Sequence, residues 1–256
     1  MHERRWAFKE TNLMIKSDKE RAIKAAIRAS LKARRQLERF IIRHPEFRNS
    51  LEPVLLEEID YPKIVNLMLR ASEIAGIGPF AAVAGSISQV AAESGISAGG
   101  VDILVDNGGD IAMMGTRDFR VGIYAGGSSI SGKFAFSVDA DSLPIGICTS
   151  SGSVGHSVSF GDADATVVVA SEASVADAAA TSVANEVKGT EIEPSIKRGL
   201  DSADDISEIR GCLIVREGYV GVTGKLPNIL PLLGTEIKPG QSVVPSPISP
   251  RKFASI

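Results

Sequence analysis

Two side chains that suit a hard metal ion stand four positions apart in the segment ASVADAAATSVANEV. If residues 173–188 form a helix, Asp177 and Thr181 project from one face of it, because side chains at i and i+4 are neighbours. A carboxylate and a hydroxyl are oxygen ligands of the kind that Mg²⁺ takes from proteins while phosphates complete its shell. The same spacing also suits a side-chain hydrogen bond near a helix start, where Asp favours the helix dipole. The spacing leaves both interpretations open.

Two glycine-rich segments precede this helix. The turn NGGD (107–110) follows an alternating strand pattern, and its glycines permit positive φ angles and close approach of a ligand. The segment TSSGSVGH (149–156) combines hydroxyls, two glycines and His156, a composition typical of phosphate-binding loops. A plain tight turn and a flexible loop are the alternatives. The candidate cofactor-binding residues are Asn107, Gly108, Gly109, Asp110, Thr149, Ser150, Ser151 and Gly152.

A third segment matches a phosphate-binding motif without its structural context. Residues 127–133 (GSSISGK) fit the first seven positions of a P-loop, but Phe134 stands where a hydroxyl must bind magnesium, and a strand pattern follows. We therefore predict a hairpin loop there. Cys148, just before the hydroxyl-rich segment, is either a packed side chain or a thiol activated by nearby amides.

Hydrophobic periodicity predicts the elements that position these residues. Ser17 and Glu20 match a capping box before a long amphipathic helix that reaches Pro45. Since helices come first and strands with interspersed helices follow, we predict the α+β class. The other predicted helices begin at Pro62, Pro79 and Ala173. The predicted strands lie over 101–106, 111–114, 119–125, 133–139 and 163–171, and a last hairpin is predicted over 212–224, around Glu217-Gly218.

Charge is distributed unevenly along the 256 residues. Residues 1–50 carry 14 Lys and Arg against 6 Asp and Glu, although the net charge of the whole chain is −3. The long helix holds most of these basic residues, but neither interleaved aromatics nor a binding motif accompanies them, so nucleic acid is not favoured. We expect a solvated or partner-facing helix surface.

Two cysteines in a chain of this length do not form a disulfide scaffold, so we expect a reducing, cytoplasmic location. The N-terminus has no apolar run of signal-peptide length, and no stretch of about 18 apolar residues occurs in the sequence. We therefore expect neither secretion nor a membrane span.

Three segments in order, VDNGGDIAMMG, ICTSSGSVGHS and ASVADAAATSVANEV, resemble the flavin transferase family called ApbE. The likeness covers about residues 60–225 and is greatest to an uncharacterised branch with GPFAAVAG-, NGGD-, TSSGSVGHS- and ADAAAT-like segments. ApbE proteins bind FAD and magnesium and transfer FMN to a threonine or serine hydroxyl of a target protein. The resemblance implies a T-fold-like arrangement of antiparallel sheets and helices, with an added basic N-terminal helix.

The resemblance also implies roles for individual residues. Asp177 and Thr181 would coordinate Mg²⁺, His156 and Asp177 would be catalytic, and the two glycine-rich segments would contact FAD or another phosphorylated ligand. However, SVSFGD follows His156 where transferases have Asp-Pro-Arg-Thr-Gly, and GPFAAVAG replaces a Lys-Gly-Tyr-like segment. We therefore expect the phosphate and metal half of the site to be kept better than the flavin half. Transferase activity is left open.

Members of the branch have been associated with sulfur assimilation toward homocysteine in anaerobes, which offers an alternative function with Cys148 as a persulfide carrier. A further alternative is a scaffold whose basic helix docks an acidic protein partner, and a homodimer is also expected. We predict three parts: a basic helix with its connector (1–58), an ApbE-like α+β domain (59–240) and a Pro/Ser-rich tail (241–256).

Overall fold

The computed structural model of the protein describes residues 1–56, 60–151 and 160–232. The helices in these ranges are α1 Glu20–Arg43, α2 Pro45–Asn49, α3 Lys63–Ala75, α4 Val83–Ser97, α5 Ala173–Glu186 and α6 Ile192–Asp204, with 3₁₀ turns at Pro79–Ala82 and Ala140–Ser142. The strands are β1 His2–Phe8, β2 Thr11–Ser17, β3 Ile103–Asn107, β4 Ile111–Met114, β5 Phe119–Ile123, β6 Phe134–Val138, β7 Ile145–Ser150, β8 Ala165–Ala170, β9 Ile209–Arg216, β10 Tyr219–Gly224 and β11 Asn228–Pro231.

The strands form two antiparallel sheets. Eight of them form one sheet in the order β1-β2-β3-β4-β7-β8-β9-β10, and three form a second sheet in the order β11-β6-β5. Helices pack on one face of the large sheet, where Phe40, Met68 and Val168 are in the core. The small sheet covers the other face through a separate apolar core that includes Phe136 and Ile147. The predicted α+β class with antiparallel sheets is confirmed.

Several predicted elements are present close to their expected positions. The segment 163–171 forms β8, whose six residues are all buried, as a strand covered on both faces requires. The hairpin β9–β10 turns at Glu217 and Gly218, which have φ angles of 49° and 84°. Segment 173–188 forms α5. The helix predicted to begin at Pro62 is α3, and Gly76 ends it in the left-handed conformation.

The N-terminal prediction was wrong in two respects. Residues 2–17 form the hairpin β1–β2, which the sequence analysis did not predict, and β2 pairs with β3 in the large sheet. Ser17 therefore ends a strand, and its hydroxyl donates to the carbonyl of Asp102 at 2.8 Å, so it does not cap α1. Lys19 occupies the N-cap position without a side-chain hydrogen bond.

Residues on both sides of the expected boundary at residue 58 contribute strands to the large sheet. The division into 1–58, 59–240 and 241–256 remains a prediction, since residues 57–59 and 233–256 lie outside the described ranges. Within those ranges, no single helix has the length and apolar composition to cross a membrane. Only α3 and the helical run Pro79–Ser97, taken together across a bend of 112°, meet that test.

Candidate functional site

Two glycines allow α5 to pack unusually close to its neighbours. A Cβ atom at Gly146 of β7 would lie 2.4 Å from Cα of Ala173, at the start of α5. A Cβ atom at Gly85 of α4 would lie 2.2 Å from the carbonyl oxygen of Ala173 and 2.7 Å from Cβ of Asp177. These contacts place the Asp177 side chain between the start of α4 and the large sheet.

The Asp177 carboxylate is held by backbone amides in the protein interior. Its Oδ2 accepts a hydrogen bond from the N–H of Gly85 at 2.8 Å, and the N–H of Ala84 also donates to this carboxylate. The side chain is only 3% exposed. Burial disfavours the charged form and raises the pKa of Asp177 to about 7, against the two amides, which lower it.

A second buried carboxylate, that of Asp110, lies in the NGGD turn. Gly108 and Gly109 have φ angles of 73° and 108°, which confirms the left-handed backbone expected of this turn. The N–H of Gly109 donates to Oδ1 of Asp106 at 2.9 Å, and the hydroxyl of Ser88 in α4 donates to the Asp110 carbonyl at 2.7 Å. These bonds fix the turn against the first half of α4.

The Asp110 side chain is 6% exposed. The N–H of Thr149 donates to the carboxylate, whereas its Oδ1 has no hydrogen-bond partner among the described residues. Burial, followed by the nearby charges of Asp177 and Asp106, raises the pKa of Asp110 well above its ordinary value. Two buried acids are therefore near enough for the charge of Asp177 to disfavour ionisation of Asp110.

The hydroxyl-rich segment meets the NGGD turn. A Cβ atom at Gly109 would lie 3.9 Å from Cβ of Thr149, so the turn and the end of β7 are in contact. Ser150 and Ser151 are buried, and the hydroxyl of Ser150 has no partner within the described ranges. Gly152 and the predicted catalytic His156 lie outside the described residues.

Thr181 lies one helical turn after Asp177, as its spacing predicted. Its side chain is buried, and its Oγ1 has no hydrogen-bond partner in the described part of the chain. The structure thus brings Asp110, Thr149, Ser150, Asp177 and Thr181 to one region, from three segments that are distant in sequence. Among the described residues there is no cluster of three or more His, Cys, Asp or Glu side chains arranged to hold a metal ion.

Asn107 serves the scaffold. Its Oδ1 accepts from the N–H of Asn12 at 3.2 Å, and its Nδ2 donates to the carbonyl of Ala84 at 3.3 Å. The side chain therefore links β2, β3 and the start of α4. Both the oxygen and the nitrogen of the Asn107 side-chain amide are therefore engaged within the protein. Its contact with a cofactor stays a prediction.

Sequence reasoning missed Thr166 of β8. This residue pairs with Ser150 of β7 in the sheet register, is fully buried, and has an Oγ1 without a partner in the described ranges. A threonine in the run ATVVVA looks like one more β-branched strand residue, because β-branched side chains favour strands whatever their polarity. The register across β7 and β8 was the missing information.

Cys148 does not have the surroundings of an activated thiol. The side chain is fully buried, and its Sγ donates to the carbonyl of Ala173 at 3.3 Å. Burial, with the charges of Asp110 and Asp177, raises the pKa of this thiol well above its ordinary value. Reactive cysteines need the thiolate form and solvent access, so this environment opposes a persulfide-carrier role.

The P-loop-like segment 127–133 lies in the connection between β5 and β6. The N–H of Gly132 donates to the carbonyl of Ile123 at 2.9 Å, which closes the hairpin. No helix follows, since Phe134 begins β6. The prediction of a hairpin loop is confirmed.

The basic helix α1 packs antiparallel along α4. Arg21 near its start donates to the carbonyl of Gly99, just after the end of α4, at 3.2 Å. Arg34 binds the β1–β2 turn through Glu10 and through the hydroxyl of Thr11 at 2.7 Å. The exposed basic residues of α1 are Arg21, Lys24, Arg28, Lys32, Arg35, Arg39 and Arg43. A partner for this surface remains a prediction.

Two solved structures share this fold. The apo form of the flavinyl transferase ApbE of Pseudomonas stutzeri has a TM-score of 0.56, covering 86% of this chain and 94% of that chain. A mutant of the flavin transferase ApbE of Vibrio cholerae has a TM-score of 0.52, covering 87% of this chain and 96% of that chain. Sequence identity is 12% in both cases. The molecule therefore has the fold of the ApbE flavin transferases.

A family model described as AbpE bacteria matches residues 2–216, and the chain belongs to that family. The UPF0280 protein of Methanocaldococcus jannaschii is 41% identical over 229 residues, which are 89% of this chain and 92% of that protein. The UPF0280 protein of Methanothermobacter thermautotrophicus is 46% identical over 198 residues, or 77% and 76% of the two chains. The expected ApbE-like family is confirmed, and the matched region begins in β1 and includes α1.

Proposed function

We propose that this protein binds a phosphorylated or nucleotide ligand, with FAD as the leading candidate, together with Mg²⁺. The site lies where the NGGD turn, the end of β7 and α5 meet. The observation that carries the proposal is the buried pair Asp110 and Asp177, each of which has a raised pKa. A buried carboxylate is costly unless it is paired or binds a cation. A divalent ion held by these carboxylates would lower that cost.

The oxygen atoms present fit a hard cation. Asp177 and Thr181 are the proposed metal ligands, and the Oδ1 of Asp110, which has no hydrogen-bond partner among the described residues, is a third candidate. All three are oxygen donors, which Mg²⁺ prefers, and substrate phosphates usually supply further ligands. When bound, the metal would neutralise phosphate charge and polarise the bond to be broken.

The remaining residues of the site would bind and orient the phosphates. Gly108 and Gly109 adopt the left-handed backbone conformation, and because glycine has no side chain, a ligand can approach the backbone closely at these positions. The hydroxyls of Thr149, Ser150 and Ser151 would donate to phosphate oxygens. Between Thr116 and Arg198, the basic side chains are Arg117, Arg120, Lys133, Lys188 and Lys197. None of these belongs to the segments that form the site, so amides, hydroxyls and the metal must supply most of the positive field.

Flavin transfer is the finer form of this proposal. The two solved proteins with this fold are named flavin or flavinyl transferases, which supports FMN transfer from FAD to a protein hydroxyl. The departures after His156 make ligand binding the stronger part of the proposal. We also propose a cytoplasmic location, which two buried free cysteines support.

The test is a thermal-shift series with FAD, FMN, ADP and ATP, each with and without Mg²⁺. A ligand that binds the folded state raises the melting temperature by mass action. We expect at least one pyrophosphate compound to raise it in the presence of Mg²⁺, and the Asp177→Asn variant to lose this shift. Asp201→Asn, a substitution of an exposed acid in α6, is the matched control and should keep it. The absence of a shift with all four compounds would contradict the proposal.

Binding and chemistry can then be separated. Liquid chromatography of FAD incubated with the protein and Mg²⁺ should detect AMP if the chain cleaves the pyrophosphate. A melting-temperature shift without AMP release would support a binding protein. AMP accompanied by an equal amount of free FMN would indicate hydrolysis of FAD, and AMP accompanied by FMN bound to a protein hydroxyl would support a transferase.

A further inference from the structure

The two edges of the eight-stranded sheet differ in how they are protected. The outer strand β1 (HERRWAF) carries Glu3, Arg4 and Arg5, and charged side chains are a common defence against pairing with another strand. The opposite outer strand, β10 (YVGVTG), has no charged residue. Natural proteins rarely leave such an edge open.

The backbone of β10 presents unpaired groups at this edge. Tyr219 pairs with Arg216 directly after the two-residue turn, so the odd-numbered residues exchange hydrogen bonds with β9. The N–H and C=O groups of Val220 and Val222 therefore point away from β9. Among the described strands, none pairs with this outer edge.

The side chains at this edge are apolar and accessible. Val220 is 50% exposed and Val222 is 55% exposed. The other face of the strand is already covered by α6, because a Cβ atom at Gly221 would lie 2.4 Å from Cγ2 of Ile196 and 2.9 Å from Cδ1 of Leu200. The strand is thus fixed on one face and one edge, and open on the other edge.

We propose that β10 pairs antiparallel with β10 of a second copy of this chain, about a two-fold axis through Gly221. In this register Val220 lies opposite Val222 of the second copy, and the outward backbone groups of these residues exchange four hydrogen bonds across the interface. The two eight-stranded sheets become one continuous sheet. A two-fold interface needs a self-complementary surface, and a strand without charges meets that condition.

Charged residues on either side of β10 favour a second copy of this chain as the pairing partner. The same register brings Glu217 beside Lys225 of the second copy, and the two-fold axis repeats this pair. The Glu217 side chain is 65% exposed, and its ion pair in the chain is with Arg216 at a long 3.9 Å. Lys225 is exposed and forms no ion pair with the described residues. Opposite charges facing each other favour this register over shifted ones.

The experiment is light scattering coupled to size-exclusion chromatography on the full chain, at protein concentrations of tens of micromolar. We expect a mass twice that of the monomer, and the monomer mass for Val222→Lys. Val101→Lys is the matched control, since Val101 is also 50% exposed but lies before β3, and this variant should remain dimeric. A monomeric wild type, or a dimer unaffected by Val222→Lys, would overturn the proposal.

Exchanging the charges of Glu217 and Lys225 tests the register. This test does not require the Val222→Lys variant to fold. Glu217→Lys and Lys225→Glu should each weaken dimerisation, because each places like charges together across the axis. The double variant Glu217→Lys with Lys225→Glu should restore it. If the double variant is as weak as the single variants, the proposed register is wrong. This interface is independent of the ligand site, so neither result bears on the proposed function.

Discussion

Both faces of the eight-stranded sheet pack against a core, but the two faces differ chemically. Between the two sheets, the core is mostly apolar, with Phe136 and Met113 among its largest side chains, and the buried polar residues Lys16 and Asp106 share this face of the large sheet. Under the helices, the buried side chains include Asp110 and Asp177 and four hydroxyls without partners in the described ranges, those of Ser86, Ser150, Thr166 and Thr181. Neighbouring residues of one strand show the contrast, since Val167 of β8 faces the small sheet while Thr166 faces the helices.

This difference indicates that packing against the small sheet stabilises the fold, whereas the polar groups buried under the helices lower stability and are suited to binding a ligand. A buried polar group that is left without a hydrogen bond costs about 1–3 kcal/mol. Several such groups lie together near the start of α4, and close packing of α4, α5 and β7 holds them there. We interpret this part of the helix-covered face as a prepared binding site and the sheet-covered face as the core that supports it.

The largest expected effect is on the apolar face. Phe136→Ala removes a fully buried aromatic side chain and should lower the free energy of unfolding by about 3–5 kcal/mol. Equilibrium denaturation measures this change. The folded variant should still show the Mg²⁺-dependent melting-temperature shift of the wild type. Loss of that shift in folded Phe136→Ala would break the proposed division between the two faces.

The acidic pair predicts a pH dependence without metal. The pKa of Asp177 is about 7 in the folded protein, against an ordinary value of 3.8, so the folded state binds its proton more tightly. The contribution of Asp177 to the free energy of unfolding should therefore be largest at low pH and fall as pH rises through this window toward 7. The raised pKa of Asp110 acts in the same direction.

Denaturant titrations in the presence of a chelator, at pH values from 4 to 8, measure this slope. Asp177→Asn should flatten it, because the amide keeps an acceptor for the N–H of Gly85 but does not titrate. Phe136→Ala should keep the slope. A wild type whose stability rises steadily over the same window would contradict the assignment of a buried acid pair.

A smaller effect is expected where α4 meets α5. Gly85→Ala places a methyl group within 2.2 Å of the Ala173 carbonyl oxygen, so the helices must separate. We expect a loss of about 1–3 kcal/mol from overpacking. The variant should also weaken ligand binding, because Asp177 accepts the Gly85 amide. Gly127→Ala is the control, since a Cβ atom there has no neighbour within 4 Å.

The smallest expected effect comes from exchanging polarity between the two faces. Thr166→Val removes a buried hydroxyl without a described partner and should change the stability of the ligand-free protein by less than about 1 kcal/mol, or increase it. Val167→Thr places a hydroxyl in the apolar core and should cost about 1–3 kcal/mol. Equal losses in the two variants would remove the contrast between the faces.

The sequence predicted the parts of the site that depend on local spacing. The i, i+4 relation of Asp177 and Thr181 on α5 and the left-handed backbone of Gly108 and Gly109 follow from short-range geometry, and the structure confirms both. The ApbE-like resemblance supplied the fold. The pairing of Asp110 with Asp177 depends on the close approach that Gly85 permits, and local spacing gives no signal for it.

Other features were missed for identifiable physical reasons. Strand β1 is exposed along nearly its whole length, so HERRWAF lacks the alternating apolar pattern that marks a strand. The capping-box pattern predicts that Ser17 caps α1, but its hydroxyl instead donates a long-range hydrogen bond to the carbonyl of Asp102. Sequence left the state of Cys148 open, because only tertiary packing decides whether a thiol is buried or activated.

The measurement that tests the central claim most directly is calorimetric titration of FAD into the wild-type protein and into Asp177→Asn, each with Mg²⁺ or with a chelator. We expect the wild type to bind FAD at least tenfold more tightly with Mg²⁺, which corresponds to about 1.4 kcal/mol, and Asp177→Asn to show no such difference. Equal wild-type affinity with and without Mg²⁺, or an undiminished Mg²⁺ effect in Asp177→Asn, would contradict the account.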